Sequence, residues 1–228
     1  MQKLTYLLIN VFTLLGPLLL SFDKRVAFVK RWKYAFPAIA ITGTLFLIWD
    51  YLFTIHKVWS FNSEYITGVE ILAMPVEELL FFLTVPFACI FIYECLKFYI
   101  KKDYFSSTTV YVQWILLCIS IIVLGFYYQH LYTAITSLTL AIVLIVNIFF
   151  IKPTYFGRFI LAYLVVLIPF VIVNGLLTSI PVVMYNDEEN LGIRIGTIPL
   201  DDFFYNFSLL LININLFEYF RNKKTQIH

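Results

Sequence analysis

Seven long apolar stretches, separated by short polar segments, constrain this chain more than any other feature of its sequence. They lie at 4–22, 35–56, 70–96, 110–128, 131–151, 158–181 and 196–220. Each is long enough to cross about 30 Å of hydrocarbon as a helix. Only 13% of the residues are charged, whereas a soluble domain has about 25%. The sequence therefore predicts an all-α integral membrane protein with seven transmembrane helices and no soluble domain.

The distribution of basic residues predicts how these helices are oriented. Thirteen of the 16 Lys and Arg residues lie after the first, third and fifth apolar stretches or in the C-terminal tail. These four segments share one side of the membrane if seven helices alternate in direction. Because basic loops stay in the cytoplasm, we expect a multi-pass protein of the inner (cytoplasmic) membrane. Its N-terminus would lie outside the cell and its C-terminus in the cytoplasm.

An internal repeat divides the chain. The segment GVEILAMPVEELLFF at 68–82 aligns without gaps, at a shift of 124 residues, with GIRIGTIPLDDFFYN at 192–206. We predict two three-helix repeats, residues 1–103 and 131–228, joined by a linking transmembrane helix within 104–130. Equivalent helices are four spans apart, so the two repeats point the same way. Their pseudo-two-fold axis then runs along the membrane normal.

Two acidic doublets occupy equivalent positions in the repeats: Glu77/Glu78 and Asp201/Asp202. A charged carboxylate at a helix centre in lipid costs at least ~2.5–3.5 kcal/mol. Doublets repeated at one depth exceed what a helix N-terminus needs to complement its dipole, so we predict a functional site. Parallel repeats place all four carboxyl groups in one layer, in the outer half of the membrane, together with Asp50 and its equivalent Asn174.

Aromatic residues follow each doublet. They are Phe81 and Phe82 after the first, and Phe204 and Tyr205 after the second. Rings packed around an acidic pocket suit a long polyene, and their faces stabilise a carbocation. We expect these four residues, with the Asp50/Asn174 pair, to bind the substrate.

Other polar residues are expected to be structural. Glu94 with Lys97, and Glu218 with Arg221, form i,i+3 pairs near the cytoplasmic ends of their helices. The loop acids Asp187, Glu188 and Glu189 are expected to be solvated. Cys89, Cys95 and Cys118 lack metal-ligand spacing, and we expect small buried apolar residues rather than ligands or disulfide partners.

Several motifs are missing from the sequence. There is no G-x-G-x-x-G and no P-loop, so no nucleotide cofactor is predicted. No metal site and no nucleic-acid partner is predicted either, and self-association is left open. Asp-rich Mg²⁺ clusters of the kind that prenyltransferases use are approached by DDFFYN but not by EELLFF.

Two three-helix repeats, each with a proline-x-acid-acid motif followed by aromatic residues, resemble the small membrane lycopene cyclases. PVEELLFF matches the first half and PLDDFFYN the second half of the fused form of that class. The resemblance covers nearly the whole chain. It implies that the substrate is lycopene, a lipid-soluble polyene, and that the product is β-carotene. The class is thought to be related to UbiA-type prenyltransferases.

Cyclisation of a ψ-end group is a redox-neutral isomerisation, which needs a dry proton donor, an aromatic wall and a base. Burial and a like-charged neighbour keep one carboxyl group of a pair protonated near neutrality. We expect Glu77 and Glu78 to be the donor and its partner, and Asp201 and Asp202 to serve as base, second donor or cation stabiliser. The alternatives are a UbiA-like prenyltransferase, a carotenoid hydratase and a proton-coupled transporter.

Overall fold

The structure is a computed structural model that describes residues 2–225, with side chains described through Lys223. Most of the described chain lies in seven α-helices: α1 (Thr5–Leu20), α2 (Trp32–Ile55), α3 (Val76–Tyr99), α4 (Thr109–Phe126), α5 (Leu131–Ile145), α6 (Phe156–Ser179) and α7 (Asp201–Thr225). A π-helical turn, Val146–Ile151, extends α5, and short 3-10 turns precede α1 and α2. Met1 and residues 226–228, which the predicted repeats include, lie outside the described residues.

Six of these helices, all except α7, are long and apolar enough to cross a membrane when the short turns that adjoin α1, α2 and α5 are included. The prediction of an all-helical membrane protein is therefore confirmed. Helix α7 carries the polar side chains of Asn206, Ser208 and Asn213 on buried faces. It packs against α2, α3, α5 and α6 inside the bundle, so it has less need of apolar side chains toward lipid.

Six short strands, which the sequence did not predict, lie at the end of the bundle where α3 and α7 begin. They are β1 (Trp59–Phe61), β2 (Glu70–Ile71), β3 (Met74–Pro75), β4 (Val183–Tyr185), β5 (Arg194–Ile195) and β6 (Ile198–Pro199). The hairpins β2–β3 and β5–β6 lead into α3 and α7, so the expected helix starts at 70 and 196 are wrong. Pro75 is the N-cap residue of α3 and has an extended backbone, so the helix begins at the next residue, Val76.

The elements repeat along the chain. The bounds of α2 and α6 differ by 124 residues at both ends, as do those of β1 and β4. At the strand end, β1 and β4 pair antiparallel with Ser60 opposite Met184, its own equivalent. The ends of α2 and α6 therefore lie together at one end of the bundle.

Ion pairs relate the two repeats at the opposite end. Lys97 binds Glu218 at 2.8 Å, and Arg221, the equivalent of Lys97, binds Glu94 at 3.1 Å. The expected i,i+3 pair forms between Glu218 and Arg221. The one expected between Glu94 and Lys97 is wrong, because Glu94 reaches Arg31 at 2.8 Å instead. Both glutamates are buried, so they tie the repeats together rather than reaching toward water.

Two minor expectations also change. Cys89 is buried, but Cys118 is exposed because α4 packs on α5 by its other face, and all three cysteines are free. Glu189 is half-buried: its side chain accepts the Leu131 N–H at 2.9 Å and so caps α5. Asp187 is mostly exposed and pairs with Arg194; hydrogen bonds from Asn190 and Arg194 lower the pKa of Asp187.

Candidate active site

A cavity of about 410 Å³ begins at the end of the bundle that carries the short strands, and every helix except α4 contributes to its wall. Most of its lining is apolar. The polar side chains that matter for chemistry come from both repeats: Tyr6, Asp50, Glu78, Tyr132, Asn174, Tyr185, Asp202 and Tyr205. No Lys or Arg is among the lining residues in the described part of the chain. The carboxyl groups therefore have no cation beside them in the cavity wall.

The second acid of each doublet faces this cavity. Glu78 and Asp202 line it, whereas Glu77 and Asp201 do not. Adjacent helix positions differ by about 100°, so the two acids of a doublet point in different directions. The structure identifies which of them faces the cavity.

The first acid of each doublet holds the loop that precedes its hairpin. Glu77 Oε1 accepts the Thr67 N–H at 2.7 Å, and Asp201 Oδ2 accepts the Leu191 N–H at 3.1 Å. Thr67 and Leu191 are equivalent at the 124-residue shift. Asp201 also accepts a hydrogen bond from Thr133 Oγ1 at 2.6 Å. These acids are therefore placed to fix the backbone around the site rather than to reach a substrate.

Glu78 has one hydrogen-bond donor and one acidic neighbour. The Tyr6 hydroxyl donates to Glu78 Oε2 at 2.5 Å. Asp50 lines the same cavity, and its Oδ2 is buried without a hydrogen-bond partner. Two like charges in a dry site resist being ionised together. The two carboxyl groups therefore disfavour being ionised at the same time.

Asp202 has the opposite environment. Its oxygens accept hydrogen bonds from the Tyr132 hydroxyl at 2.5 Å, the Tyr185 hydroxyl at 2.9 Å and the Asn174 amide at 3.3 Å. Hydrogen bonds to the charged form of a carboxyl group favour that form. Burial raises the pKa of Tyr185 well above 10, and the nearby charge of Asp202 is the second cause. The Tyr185 hydroxyl therefore stays neutral and can donate its hydrogen bond. Asp202 thus has more hydrogen-bond donors to favour its ionised form than Glu78 has.

Differences at two equivalent positions produce this contrast. Asn174, which donates to Asp202, stands where the first repeat has the acid Asp50. Tyr185, the other donor, stands where the first repeat has Phe61. The two halves of the site share a scaffold and differ in the polarity of these side chains.

Aromatic side chains form much of the remaining wall. Phe81 and its equivalent Tyr205 line the cavity, as expected, and Trp59 does so as well. Phe82 and Phe204 do not line it. The α-helical rotation turns Phe82 toward α2, where its ring lies 6.4 Å from Phe46, and Phe204 packs half-buried against the main core.

The tyrosines that donate hydrogen bonds to the acids were not predicted from the sequence. Tyr6 and Tyr132 are equivalent only at a shift of 126 residues, so the ungapped 124-residue register does not extend to α1 and α5. An alignment with a two-residue gap would have found this pair. Tyr185 gave no such signal, because its equivalent is Phe61.

No group of three or more His, Cys, Asp or Glu side chains that could hold a metal ion occurs among residues 2–225. The expectation that no metal or cofactor takes part remains a prediction.

A membrane-embedded helical bundle with an acid-lined and largely apolar cavity, whose wall contains no Lys or Arg among the described residues, suits an enzyme that performs proton chemistry on an apolar substrate. A family model described as lycopene cyclase matches residues 3–96 and 129–220. The matched segments make up more than half of the chain, which therefore belongs to the lycopene cyclase family. They coincide with the two repeats, and the intervening segment contains α4. No curated protein and no solved structure matches the chain significantly.

Family membership confirms the predicted activity. The protein is a lycopene cyclase, an intramolecular lyase of the isomerase class, and it acts on lycopene in a membrane.

Proposed function

We propose that this cyclase forms β-ionone rings, with Glu78 and Asp50 as the proton-donating pair and Asp202 as the base. The observation that carries this proposal is the contrast between the two halves of the cavity. Glu78 and Asp50 have one hydroxyl donor between them, whereas Asp202 has three donors. A proton bound in the cavity is therefore most stable on the first pair and least stable on Asp202.

The reaction proceeds by protonation, ring closure and deprotonation. Glu78 transfers a proton to C2 of the ψ-end group, which leaves a cation at C1. The electron pair of the C5=C6 bond then forms the C1–C6 bond and moves the cation to C5. Loss of the C6 proton to Asp202 restores a double bond between C5 and C6 in the ring. The proton then returns from Asp202 to the Glu78/Asp50 pair, which restores the starting state of the enzyme. The substrate is isomerised, and no redox change occurs.

The aromatic wall stabilises the cation between these steps. The face of a Trp or Tyr ring attracts a cation within about 6 Å of its centroid. Trp59 and Tyr205 line the cavity and lie 6.4 Å apart by ring centroids. The largely apolar lining also excludes water, which would otherwise add to the cation and give the hydroxylated product of a hydratase reaction.

The membrane arrangement belongs to the same proposal. Seven spans, including α7, form two parallel repeats related by a two-fold axis along the membrane normal. The β1–β4 pair at one end and the exchanged ion pairs at the other end support this axis. The positive-inside rule supports an inner membrane with the N-terminus outside and the site in the outer half. The domain bounds 1–103, 104–130 and 131–228 follow from the same repeat.

The prenyltransferase alternative needs a diphosphate site. Diphosphates are held by Mg²⁺ or by basic side chains, and the lining described above contains neither Lys nor Arg. A relation to the UbiA-type enzymes remains a prediction. The transporter alternative uses the acid layer for protons but leaves the polyene unchanged.

Expression in bacteria that accumulate lycopene tests the proposal. A shift from red lycopene to yellow-orange pigment, with β-ring products identified by chromatography, is the expected result. Purified protein should retain activity in EDTA. Products with ε rings, in which the C4 proton is lost instead, would overturn the proposed position of the base. Unchanged lycopene with well-expressed protein would overturn the function itself.

A further inference from the structure

The cavity continues beyond the acids along one face of α3. Glu78, Phe81, Val85, Ala88 and Ile92 all line it. Their spacing of three or four residues places them on one side of the helix. Fourteen residues at 1.5 Å each separate the first from the last, a distance of about 21 Å. The cavity is therefore a long apolar groove with the acids at one end.

Helices α1 and α6 form the two walls of this groove. Both pack against α3, which forms the floor between them. Ile9 and Thr13 line the cavity from α1, and Val173 and Leu177 line it from α6. The length of the groove is therefore lined by parts of three helices.

The groove reaches the outer surface between α1 and α6. Phe12, Ile172 and Leu176 line the cavity, yet they are 70%, 58% and 42% exposed. A side chain can do both only where the cavity reaches the outer surface. Because that surface consists of apolar helices, the opening faces lipid.

The equivalent crevice between α2 and α5 is closed. The residues equivalent to Ile172, Leu176 and Phe12 are Ile48, Leu52 and Leu138. They are also exposed, but none of them lines the cavity. Trp49 stands where the open side has Val173, and Ile212 stands where the floor has Ala88. Larger side chains thus fill the second crevice.

We infer that the α1–α6 groove binds the polyene chain of the substrate and is the single lateral opening through which the substrate enters from lipid. This inference rests on the proposed function, because the acids at the end of the groove define where the reacting end group lies. The groove is continuous with Glu78, its lining is apolar along α3, and it opens into the phase that dissolves a carotenoid.

Val173→Trp tests the inference, because it gives the open crevice the side chain that closes its equivalent. Val171→Trp is the matched control: the same change on the same helix, at a residue that is 43% exposed and does not line the cavity. We expect Val173→Trp to lower kcat/KM for lycopene at least tenfold. Val171→Trp should stay within about twofold of the wild type.

A second pair of variants, a groove variant and its control, tests the inference if Val173→Trp fails to fold. Leu176→Trp is partly at the surface and lines the groove, and Leu164→Trp, at a residue that is 48% exposed, does not line it. Thermal melting in detergent identifies folded variants. If the wild type cyclises lycopene and the folded groove variants match their controls, the groove assignment is overturned. An inactive wild type would instead overturn the proposed function.

Discussion

Glu78→Gln is the substitution that examines the proposed proton donor most directly. Glutamine has nearly the same shape, and its amide oxygen can still accept the hydrogen bond from the Tyr6 hydroxyl that lies 2.5 Å from Glu78 Oε2. What the variant loses is the transferable proton. A general acid contributes about 10²–10⁴-fold to a rate, so we expect kcat to fall by about that factor. KM should change little, because the groove lining along α3 is apolar and is unaffected.

Glu77→Gln is the matched control on the adjacent residue. The Thr67 N–H, which lies 2.7 Å from Glu77 Oε1, can still donate to the amide oxygen. The bond loses its charge-assisted part, which is worth roughly 1 kcal/mol. We expect a modest loss of thermal stability and activity within about tenfold of the wild type. Asp202→Asn and Asp201→Asn form the same comparison in the second repeat.

The assay is single-turnover conversion of lycopene by purified protein in liposomes, followed by absorbance and chromatography, with folding checked by thermal melting. We expect the conversion rate of Glu78→Gln to be far below that of Glu77→Gln. The rate of Asp202→Asn should likewise be far below that of Asp201→Asn. A folded Glu78→Gln variant that works at the wild-type rate would refute the assignment. If Asp50→Asn alone then abolished conversion, Asp50 would be the donor.

Three further outcomes follow from the same geometry. Tyr185→Phe, which copies Phe61 of the first repeat, should fold normally and lower kcat by about fivefold, because Asp202 loses one of its three donors, worth roughly 1 kcal/mol; an unchanged kcat would contradict the role of that hydrogen bond. A monocyclic product should precede any bicyclic product in a time course, since all the acids lie at one end of the groove; simultaneous appearance of both would argue against a single site. Glu218→Gln should lower the free energy of unfolding, measured through the melting temperature, because it loses its ion pairs with Lys97 and Arg221. The loss should be no more than a few kcal/mol, since that lysine is 25% exposed, and activity per folded molecule should be retained.

The sequence predicted the helices and the acid doublets because both are local patterns. Apolar stretches of sufficient length are visible letter by letter, and Glu77/Glu78 align with Asp201/Asp202 at a constant shift. The hairpins escaped prediction because a short apolar run before a helix has no periodicity that separates strand from helix.

The facing direction of each acid could not be predicted, because it depends on packing. Helix α7 is buried on most of its faces, so its hydrophobic pattern does not mark a cavity side. The donors to Asp202 come from α5, β4 and α6, and only the tertiary structure brings these segments together. The ion pairs that Glu94 forms are likewise long-range: one partner, Arg31, precedes α2, and the other, Arg221, belongs to the second repeat.

In the proposed mechanism, the departure from two-fold symmetry is what distinguishes the proton donor from the base. Two identical halves would present two carboxyl groups of equal proton affinity, and neither would be favoured as donor or as base. Asn174 in place of a second Asp50, and Tyr185 in place of a second Phe61, add two donors around Asp202 and none around Glu78. The scaffold contacts that do not touch the cavity, such as those of Glu77 and Asp201 with their loops, stay equivalent. The repeats thus share the contacts from the doublets to their loops, and they differ at the cavity side chains to which the proposal assigns the proton donor and the base.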